Sequence, residues 1–580
     1  MLSIYYSLKG FFSKHWITLS LVLLVLSFFC ATASYNYLAH SPDFIKWSSP
    51  DESANYFLTK QYAEKGELSY SEPANLYAQG IIMPRSFRTD GDLVKPVSFL
   101  GLIFIYGNLA KLFGTAAIPY FTPAFAALGL VFFYLIVERL FKREVAIVST
   151  FLLAAFPVYI YFSARSMFHN ILFVVLWLIG LYFSLRLTDT PALLPREASP
   201  LEQRQHYLSW LAASLAGLFT GLAVTVRSSE LLWLLPLLLM LWLFNFYRLG
   251  LARLVLFVYF FCLAFVPIMS WNMLLYNSPL HTGYPQMNQS LAQISSSTTQ
   301  LVKASATVNQ QEVRDSASLL RRTVFFFGFK PAHSEKMFYH YIYKMFTWLV
   351  LAAGLGFLFL IFKTNASRKS DLLYLLGLGG LSAVLIFYYG SWVFYDNPDP
   401  NSYTIGNSYT RYWLPIYFGL IPLAALALVR LSSWLKLPVL VWLTRVIVIA
   451  IIMLSSASFV LYGSNEGLVF NLDRQISSKT EWQKVLALTP SDAVIITRYH
   501  DKLLFPERKV IMGLLTDDNM NRLYANLVKQ QVPLYYYNFT LADKDFDYLN
   551  SSRLKVLGLK IDKVAKITKD FTLYRLSRDK

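Results

Sequence analysis

Three arginines have unusual positions in this sequence, because each stands alone directly beside a long apolar run. They are Arg165, Arg227 and Arg411. The guanidinium group is always charged, and its planar fork of N–H donors matches the oxygens of a phosphate or a carboxylate. A cation kept at the edge of an apolar segment usually has an anion to compensate it. These positions therefore predict a binding site for an anionic group.

A second group capable of chemistry follows the first apolar run, in the sequence Ser49-Pro50-Asp51-Glu52. Serine at the cap, proline at the first helical position and glutamate three residues after the serine are typical of a helix start with a capping box. In that interpretation Asp51 is only a first-turn acid, favoured by the helix dipole. A carboxylate on a rigid helix start can equally act as a general base. Asp51 and Glu52 are the predicted catalytic residues, and Asp51 is preferred as the base because Glu52 has the capping role.

Four further polar residues lie near the same edge of the apolar runs. Lys95 precedes a short apolar segment, His169 and Asn170 begin a long one, and Tyr412 belongs to a late Arg-Tyr pair. They are predicted to bind substrate together with the arginines. For each cation an alternative stays open, which is contact with lipid headgroups or a pair with a nearby acid such as Glu230.

Composition places the chain among polytopic membrane proteins. Of its 580 residues, 56% are hydrophobic and only 15% are charged, which is more apolar surface than a soluble domain of this size can bury. The formal net charge is +18. Because the excess of basic over acidic residues lies in loops and in the C-terminal segment, it favours contact with anionic lipid headgroups over nucleic acid. The two cysteines, Cys30 and Cys262, lie inside apolar runs and indicate neither a disulfide nor a metal site.

Hydropathy predicts about eleven transmembrane helices. Basic residues cluster in every second loop, which makes those loops cytoplasmic, the N-terminus cytoplasmic and the C-terminal segment extracytoplasmic. The apolar segment 97–113 is short, and counting it as a span would place the basic cluster at 139–143 outside. It is therefore predicted to be a juxtamembrane helix. The predicted spans are 16–37, 117–138, 144–163, 170–187, 208–226, 230–247, 254–276, 345–362, 371–394, 412–430 and 438–462.

Two domains follow from the change in composition near residue 463. Residues 1–462 are predicted to form the transmembrane domain, with long outer loops at 38–116 and 277–344. Residues 463–580 are more polar and alternate amphipathic stretches with short β-rich runs at 493–497, 509–513, 533–539 and 571–576, which predicts an extracytoplasmic α/β domain.

Several segments resemble motifs of the GT-C superfamily of membrane glycosyltransferases, which includes protein O-mannosyltransferases and lipid A aminoarabinose transferases. They occur in the order of the family and cover most of residues 40–430. Where many relatives carry an acid in the second outer loop, this chain has His169-Asn170, so a metal held by one carboxylate from each loop is not expected. The similar segments are Pro50-Asp51-Glu52, Lys95-Pro96, Ser163-Ala164-Arg165, Ala223-Val224-Thr225-Val226-Arg227-Ser228-Ser229 and Thr410-Arg411-Tyr412-Trp413-Leu414-Pro415.

The resemblance implies a cell-envelope enzyme that uses a sugar on a polyprenyl phosphate and inverts the anomeric centre. The acceptor would be a glycan, a lipid or a protein. Asp51 would be the base and could also hold a divalent metal ion. Lys95, Arg227 and Arg411 would bind the phosphate, while Arg165, His169 and Asn170 would line the site. Two alternatives stay open, a lipid or glycolipid flippase and an inactive GT-C-like scaffold.

Overall fold

A computed structural model describes residues 2–189, 199–284, 328–362, 368–394, 396, 399 and 401–579. It is mostly helical, with one three-stranded and one five-stranded sheet. Its helices are α1 Leu2–Ala39, α2 Pro50–Lys65, α3 Asn75–Ala78, α4 Gly101–Phe113, α5 Ile118–Leu140, α6 Arg143–Ala154, α7 Pro157–Ala164, α8 His169–Arg186, α9 Pro200–Val226, α10 Leu231–Phe244, α11 Phe246–Leu249, α12 Leu251–Tyr276, α13 Pro331–Phe338, α14 Thr347–Ile361, α15 Arg368–Gly390, α16 Ser408–Tyr412, α17 Leu414–Ser433, α18 Pro438–Tyr462, α19 Leu468–Leu488, α20 Asp501–Leu504, α21 Asp518–Lys529 and α22 Asp543–Tyr548. Its strands are β1 Tyr70–Ser71, β2 Phe87–Asp90, β3 Leu93–Pro96, β4 Val494–Thr497, β5 Lys509–Met512, β6 Leu534–Phe539, β7 Leu559–Lys566 and β8 Phe571–Arg578.

The chain is a multi-pass membrane protein. Among the described residues, eight helices are long and apolar enough to cross a membrane, and the number rises to ten if two bent pairs each count as one span. The predicted span 144–163 corresponds to α6 and α7, whose axes are bent by 54° at the break between them, and Pro157 is the first residue of α7. The second pair is bent by 90° between Lys344 and Thr347. The predicted span 230–247 is shorter than expected and is an apolar helix over Ser228–Phe244. The juxtamembrane segment 97–113 forms α4, a helix of 13 residues.

The described chain divides into two compact units. Unit 1 comprises Met1–Tyr35, Tyr120–Ser270 and Pro285–Leu468, and unit 2 comprises Asn36–Pro119, Trp271–Tyr284 and Val469–Lys580. Unit 2 therefore includes the first long outer loop as well as the C-terminal segment.

Close backbone approach packs the helices of unit 1. A Cβ atom on Gly356 of α14 would lie 1.9 Å from the carbonyl oxygen of Leu423 in α17. A Cβ atom on Gly217 of α9 would lie 2.1 Å from the carbonyl oxygen of Phe257 in α12. Small residues at helix interfaces allow this approach in membranes, where association depends on van der Waals packing. These two positions therefore require glycine.

Unit 2 contains a mixed sheet with strand order β5-β4-β6-β8-β7. The strand β4 is parallel to β5 and to β6, whereas β8 is antiparallel to both of its neighbours. All four residues of β4 are buried, as expected for a central parallel strand. The predicted runs at 493–497, 509–513, 533–539 and 571–576 correspond to β4, β5, β6 and β8. The segment around β7 gave no sequence prediction.

The first outer loop packs onto this sheet within unit 2. Ile82 forms a bridge to Ile511 at the β5 edge, so that both side chains belong to the hydrophobic core of the sheet. The Arg85 guanidinium donates to both carboxylate oxygens of Asp501, with a shortest distance of 2.6 Å. Asp501 is 1% exposed. Breaking one side of such a pair leaves a buried charge, so these contacts fix the loop on the sheet.

We expect His40 to make unit 2 sensitive to mild acid. The ring is buried next to Trp47, and burial lowers its pKa from 6.5 to about 4. The folded state therefore resists a proton that the unfolded chain accepts, so this stability is complete above pH 6.5 and decreases as the pH falls toward 4. Between pH 7 and pH 5 the loss is roughly 2 kcal/mol.

Denaturation of the detergent-solubilised protein at pH 7 and pH 5 measures this effect. His40→Asn should have the smaller pH dependence, by about the same 2 kcal/mol, while His281→Asn should behave like the unmodified protein. Equal pH dependence in all three proteins would contradict the role assigned to His40.

Candidate functional site

Two of the three arginines meet over one aromatic ring in unit 1. Arg165 ends α7, and its guanidinium carbon lies 5.2 Å from the ring centroid of Phe168. The guanidinium carbon of Arg411 lies 4.5 Å from the same centroid. Cation–π attraction of this kind is strongest where water is excluded, and Arg165 is only 8% exposed. Phe168 therefore holds two cations that are far apart in sequence close together.

The third arginine is connected to this pair by Tyr412. The Tyr412 ring centroid lies 5.2 Å from the guanidinium carbon of Arg411 and 4.5 Å from that of Arg227. Tyr412 also stacks on Tyr389, with centroids 4.5 Å apart and an interplanar angle of 22°. We call Arg165, Arg411 and Arg227, with the intervening rings of Phe168 and Tyr412, the arginine cluster. The structure thus brings together all three arginines that the sequence singled out.

A buried network orients Arg227. Its Nε donates to Glu230 Oε1 at 2.8 Å, and one of its terminal nitrogens donates to the Tyr389 hydroxyl at 2.9 Å. Glu230 is 2% exposed and also accepts from Tyr389 and from the Trp233 indole, each at 2.6 Å. The sequence analysis left open that Arg227 pairs with Glu230 instead of binding substrate. In the structure, Glu230 both neutralises the arginine and fixes its direction.

His169 and Asn170 form the N-terminus of α8 beside the arginine cluster. Phe168 is the residue before this helix, and the Asn170 side-chain amide donates to the Arg411 carbonyl oxygen at 3.1 Å. Met167 has a φ of 69° although it is not glycine, and it is fully buried. Such a conformation is costly and is found where the surrounding structure imposes it, frequently at functional sites. Since the N-terminus of an 18-residue helix carries partial positive charge, it adds to the field of the three guanidinium groups.

Asp51 and Glu52 lie in unit 2, at the start of α2. Glu52 is 1% exposed and accepts a hydrogen bond from the Ser49 backbone amide at 2.9 Å, which is the expected capping contact. Asp51 is half-buried and accepts from the Ser86 hydroxyl at 2.6 Å. The helix start and a serine from the outer loop together hold the Asp51 carboxylate in place.

Lys95 also lies in unit 2, where it forms an ion pair. On the β2–β3 hairpin its ammonium donates to Asp90 Oδ2 at 2.7 Å, and Lys95 itself is 6% exposed. This hydrogen bond lowers the pKa of the Asp90 carboxyl below its usual range. The predicted phosphate contact of Lys95 stays a prediction.

No group of three His, Cys, Asp or Glu residues that could hold a metal ion occurs in the described ranges. The sequence also gave no sign that Phe168 and Tyr389 join the arginines, because single aromatic residues in apolar runs are common. Glu230 was detectable, since it follows Arg227 by three residues, which are neighbours on a helical turn.

The fold was compared with known proteins. No family model and no curated protein matches the sequence. Among solved structures, the chain is similar to the oligosaccharyltransferase of Archaeoglobus fulgidus tethered to an acceptor peptide, with a TM-score of 0.54, 12% identity, and coverage of 93% of this chain and 70% of that one. The same archaeal enzyme in complex with Zn and sulfate gives a TM-score of 0.51 and 14% identity, over 92% of this chain and 68% of that one. ArnT from Cupriavidus metallidurans bound to undecaprenyl phosphate gives 0.47 and 13% identity, over 97% and 98%.

The two similarities with a TM-score above 0.5 show that this chain shares the fold of the archaeal oligosaccharyltransferase. The fold class predicted from the sequence, a polytopic helical domain with a C-terminal β-sheet domain, is confirmed.

We expect Glu230→Ala to destabilise the protein strongly. Without this carboxylate the Arg227 guanidinium, 7% exposed, stays buried with no compensating charge, which costs about 3–5 kcal/mol. The double variant Arg227→Leu, Glu230→Leu removes both charges and should recover much of that loss. Thermal unfolding in detergent measures both. Glu335→Ala, at an exposed acid, is the control and should unfold near the temperature of the unmodified protein. A similar small effect for Glu230→Ala would show that the buried pair is not needed for stability.

Proposed function

We propose that this protein is a membrane glycosyltransferase that moves a sugar from a polyprenyl-phosphate-linked donor to an acceptor. The single observation that carries the proposal is the arginine cluster at the N-terminus of α8. Three guanidinium groups joined through Phe168 and Tyr412, one of them paired with Glu230, make a donor-rich site of the kind that binds phosphate. The GT-C fold is consistent with this assignment, because the similar archaeal protein is an oligosaccharyltransferase.

The arginine cluster would bind the lipid phosphate and stabilise it as the leaving group. When the bond to the anomeric carbon breaks, negative charge develops on the phosphate oxygens, and preorganised donors favour that charge. Each hydrogen bond to a charged group contributes roughly 1.5–3 kcal/mol. Two or three arginines can thus supply several kcal/mol to binding and departure. Because Glu230 and the aromatic rings already orient the cluster, little reorganisation is needed during the reaction.

Asp51 would be the general base that accepts the proton of the incoming acceptor hydroxyl, with inversion at the anomeric carbon. Two features support Asp51 over Glu52. Glu52 is buried and accepts from the Ser49 amide, whereas Asp51 is half-buried and held by Ser86. A divalent ion at Asp51 and a phosphate contact from Lys95 stay predictions. In this proposal the N-terminus is cytoplasmic, and the outer loop and C-terminal domain are extracytoplasmic.

Replacement of the base tests the reaction. Asp51→Asn keeps the size and helix-start position of the side chain but cannot accept the proton, so turnover should fall at least a hundredfold. Transfer from a radiolabelled polyprenyl-phosphate sugar in nanodiscs measures turnover. Asp43→Asn, an exposed acid that pairs with Lys479, is the control and should retain activity. A flippase or an inactive scaffold would transfer no sugar with either side chain at this position, and full turnover by Asp51→Asn would reject Asp51 as the base.

Replacement of the cations tests the phosphate site separately. Arg165→Gln and Arg411→Gln should each weaken binding of farnesyl phosphate at least tenfold, because each removes a charged donor worth about 1.5–3 kcal/mol. Farnesol, which lacks the phosphate, should bind all variants alike. Arg498→Gln, at an exposed arginine in unit 2, is the matched control. An equal loss of affinity for farnesol and for farnesyl phosphate would mean that these arginines do not bind the phosphate.

A further inference from the structure

Unit 2 contains a cavity of about 280 Å³ whose lining includes no residue of the arginine cluster. It lies where the outer loop meets the edge of the C-terminal sheet, and it is lined by α2, by β1 and by the segment leading into β5. Small-molecule sites range from about 300 to 1,000 Å³. The cavity is therefore near the lower limit and accommodates one ring-sized group.

Aromatic side chains form one wall of this cavity. Phe57 and Phe505 have ring centroids 4.7 Å apart at an angle of 63°, and Phe57 and Tyr70 have centroids 5.6 Å apart at 77°. Phe87 packs against all three rings from the other side. This packing fixes the wall in the absence of a ligand. A rigid aromatic surface suits a ligand that has a flat apolar face.

The remaining walls carry paired charges and neutral polar groups. The Lys509 ammonium donates to Glu72 Oε1 at 2.9 Å, and Glu72 is 5% exposed while the lysine side chain is 37% exposed. The Gln61 side-chain nitrogen donates to the Ser69 carbonyl oxygen at 2.7 Å, which directs the amide within the wall. The Tyr70 hydroxyl has no hydrogen-bond partner among the residues of unit 2 that the structure describes. The cavity thus offers both donors and acceptors beside the aromatic wall.

The pairing of the charges decides between ligand classes. Lys509 and Glu72 neutralise each other, and the other charged residues of the lining are Lys65, Glu67 and Arg508. Lys65 and Glu67 have opposite charges, and the Arg508 guanidinium already donates to the Thr489 hydroxyl and to the carbonyl oxygens of Leu486 and Thr489. A charged ligand therefore gains little net Coulomb energy and would have to compete with these contacts. A neutral polyol can accept from Lys509 and donate to Glu72 without disrupting them, since a lysine has three donors and a carboxylate several lone pairs. A pyranose also has an apolar C–H face for the aromatic wall.

We propose that this cavity binds one neutral sugar ring, and that this ring belongs to the acceptor. Sugar binding does not depend on the proposed function, whereas assignment to the acceptor does. Phe57 and Gln61 follow Asp51 on α2 by about 9 and 15 Å along the helix axis. A glycan bound through one ring here extends over that distance with one or two further sugar units. The acceptor would then be a glycan or a glycolipid.

Binding is tested first, on the full-length protein in nanodiscs. Saturation-transfer NMR with methyl glucoside, methyl galactoside, methyl mannoside and methyl N-acetylglucosaminide should show transfer to the ring C–H protons of at least one of them. The preferred neutral glycoside should bind at least fivefold more tightly than glucosamine or glucuronate. Absence of transfer to every neutral glycoside, or preference for a charged sugar, would overturn the proposal.

Variants then locate the binding. Tyr70→Ala removes part of the aromatic wall, and Lys509→Met removes a donor at a position that is partly exposed; each should weaken binding at least fivefold. Phe539→Ala and Lys529→Gln, exposed residues of the same unit away from the cavity, are matched controls and should bind normally. Thermal unfolding identifies a variant that fails to fold, in which case the other variant decides. If a folded variant binds the glycoside as tightly as the unmodified protein, the sugar does not bind in this cavity.

The transfer assay separates this proposal from the proposed function. If the unmodified protein transfers sugar, the two cavity variants should raise the KM for the acceptor with little change in kcat, whereas Asp51→Asn lowers kcat. If the protein binds glycosides but transfers none, the proposed function fails and sugar binding stands. If transfer occurs with unchanged acceptor KM in the cavity variants, the cavity is not an acceptor site.

Discussion

The cost of keeping guanidinium groups away from water governs the site in unit 1. A buried cation requires a partner for its charge and for its hydrogen bonds. Arg227 meets this requirement with Glu230, Tyr389 and the face of Tyr412. These residues come from the end of α9, from α15 and from α16, so the charge compensation connects three helices that are distant in sequence. A rearrangement of one of these helices would leave a charge buried among apolar residues without its partner.

Aromatic rings extend this compensation to the other two arginines. A ring face attracts a cation without using its N–H donors. The guanidinium groups also donate hydrogen bonds, that of Arg165 to the Tyr161 hydroxyl at 2.9 Å and that of Arg411 to the Ser408 hydroxyl at 2.8 Å. Phe168 serves Arg165 and Arg411, and Tyr412 serves Arg411 and Arg227.

The sequence predicted much of the fold because hydropathy and strand alternation are local signals. It located β4, β5, β6 and β8 within one or two residues, since each is a short apolar or aromatic run. It did not detect β7, where an irregularity in pairing between Lys563 and Ala565 interrupts the alternation that identifies a strand. In the described residues, eight helices and two bent pairs correspond to ten of the eleven predicted spans, and the other, 230–247, is a shorter apolar helix over Ser228–Phe244. Hydropathy does not register the 54° bend at Pro157, which divides one apolar run into two helices. Apolar length alone says nothing about such breaks.

The site was less predictable than the fold because it depends on contacts between residues that are distant in sequence, which local patterns do not show. Isolated arginines at the ends of apolar runs were visible in the sequence, but the rings that join them are ordinary members of aromatic-rich segments. The capping contact of Glu52 followed from spacing and is present. The ion pair of Lys95 with Asp90 depends on a short hairpin in which Asp90 is opposite Leu93 and Lys95 is opposite Arg88, so the ion pair runs diagonally across the two strands. The cavity in unit 2 depends on a contact between Ile82 and Ile511, more than four hundred residues apart, which no local pattern encodes.

That last contact has a consequence for biosynthesis. The outer loop, residues 36–119, is completed long before the strands on which it packs emerge from the ribosome. At about 5–20 residues per second, translation of the intervening chain takes on the order of 20 to 75 s. During that interval Ile82 and Arg85 have neither the β5 edge nor Asp501 to contact. The loop therefore lacks these packing partners until the C-terminal strands are made, and a chain that terminates early never acquires them.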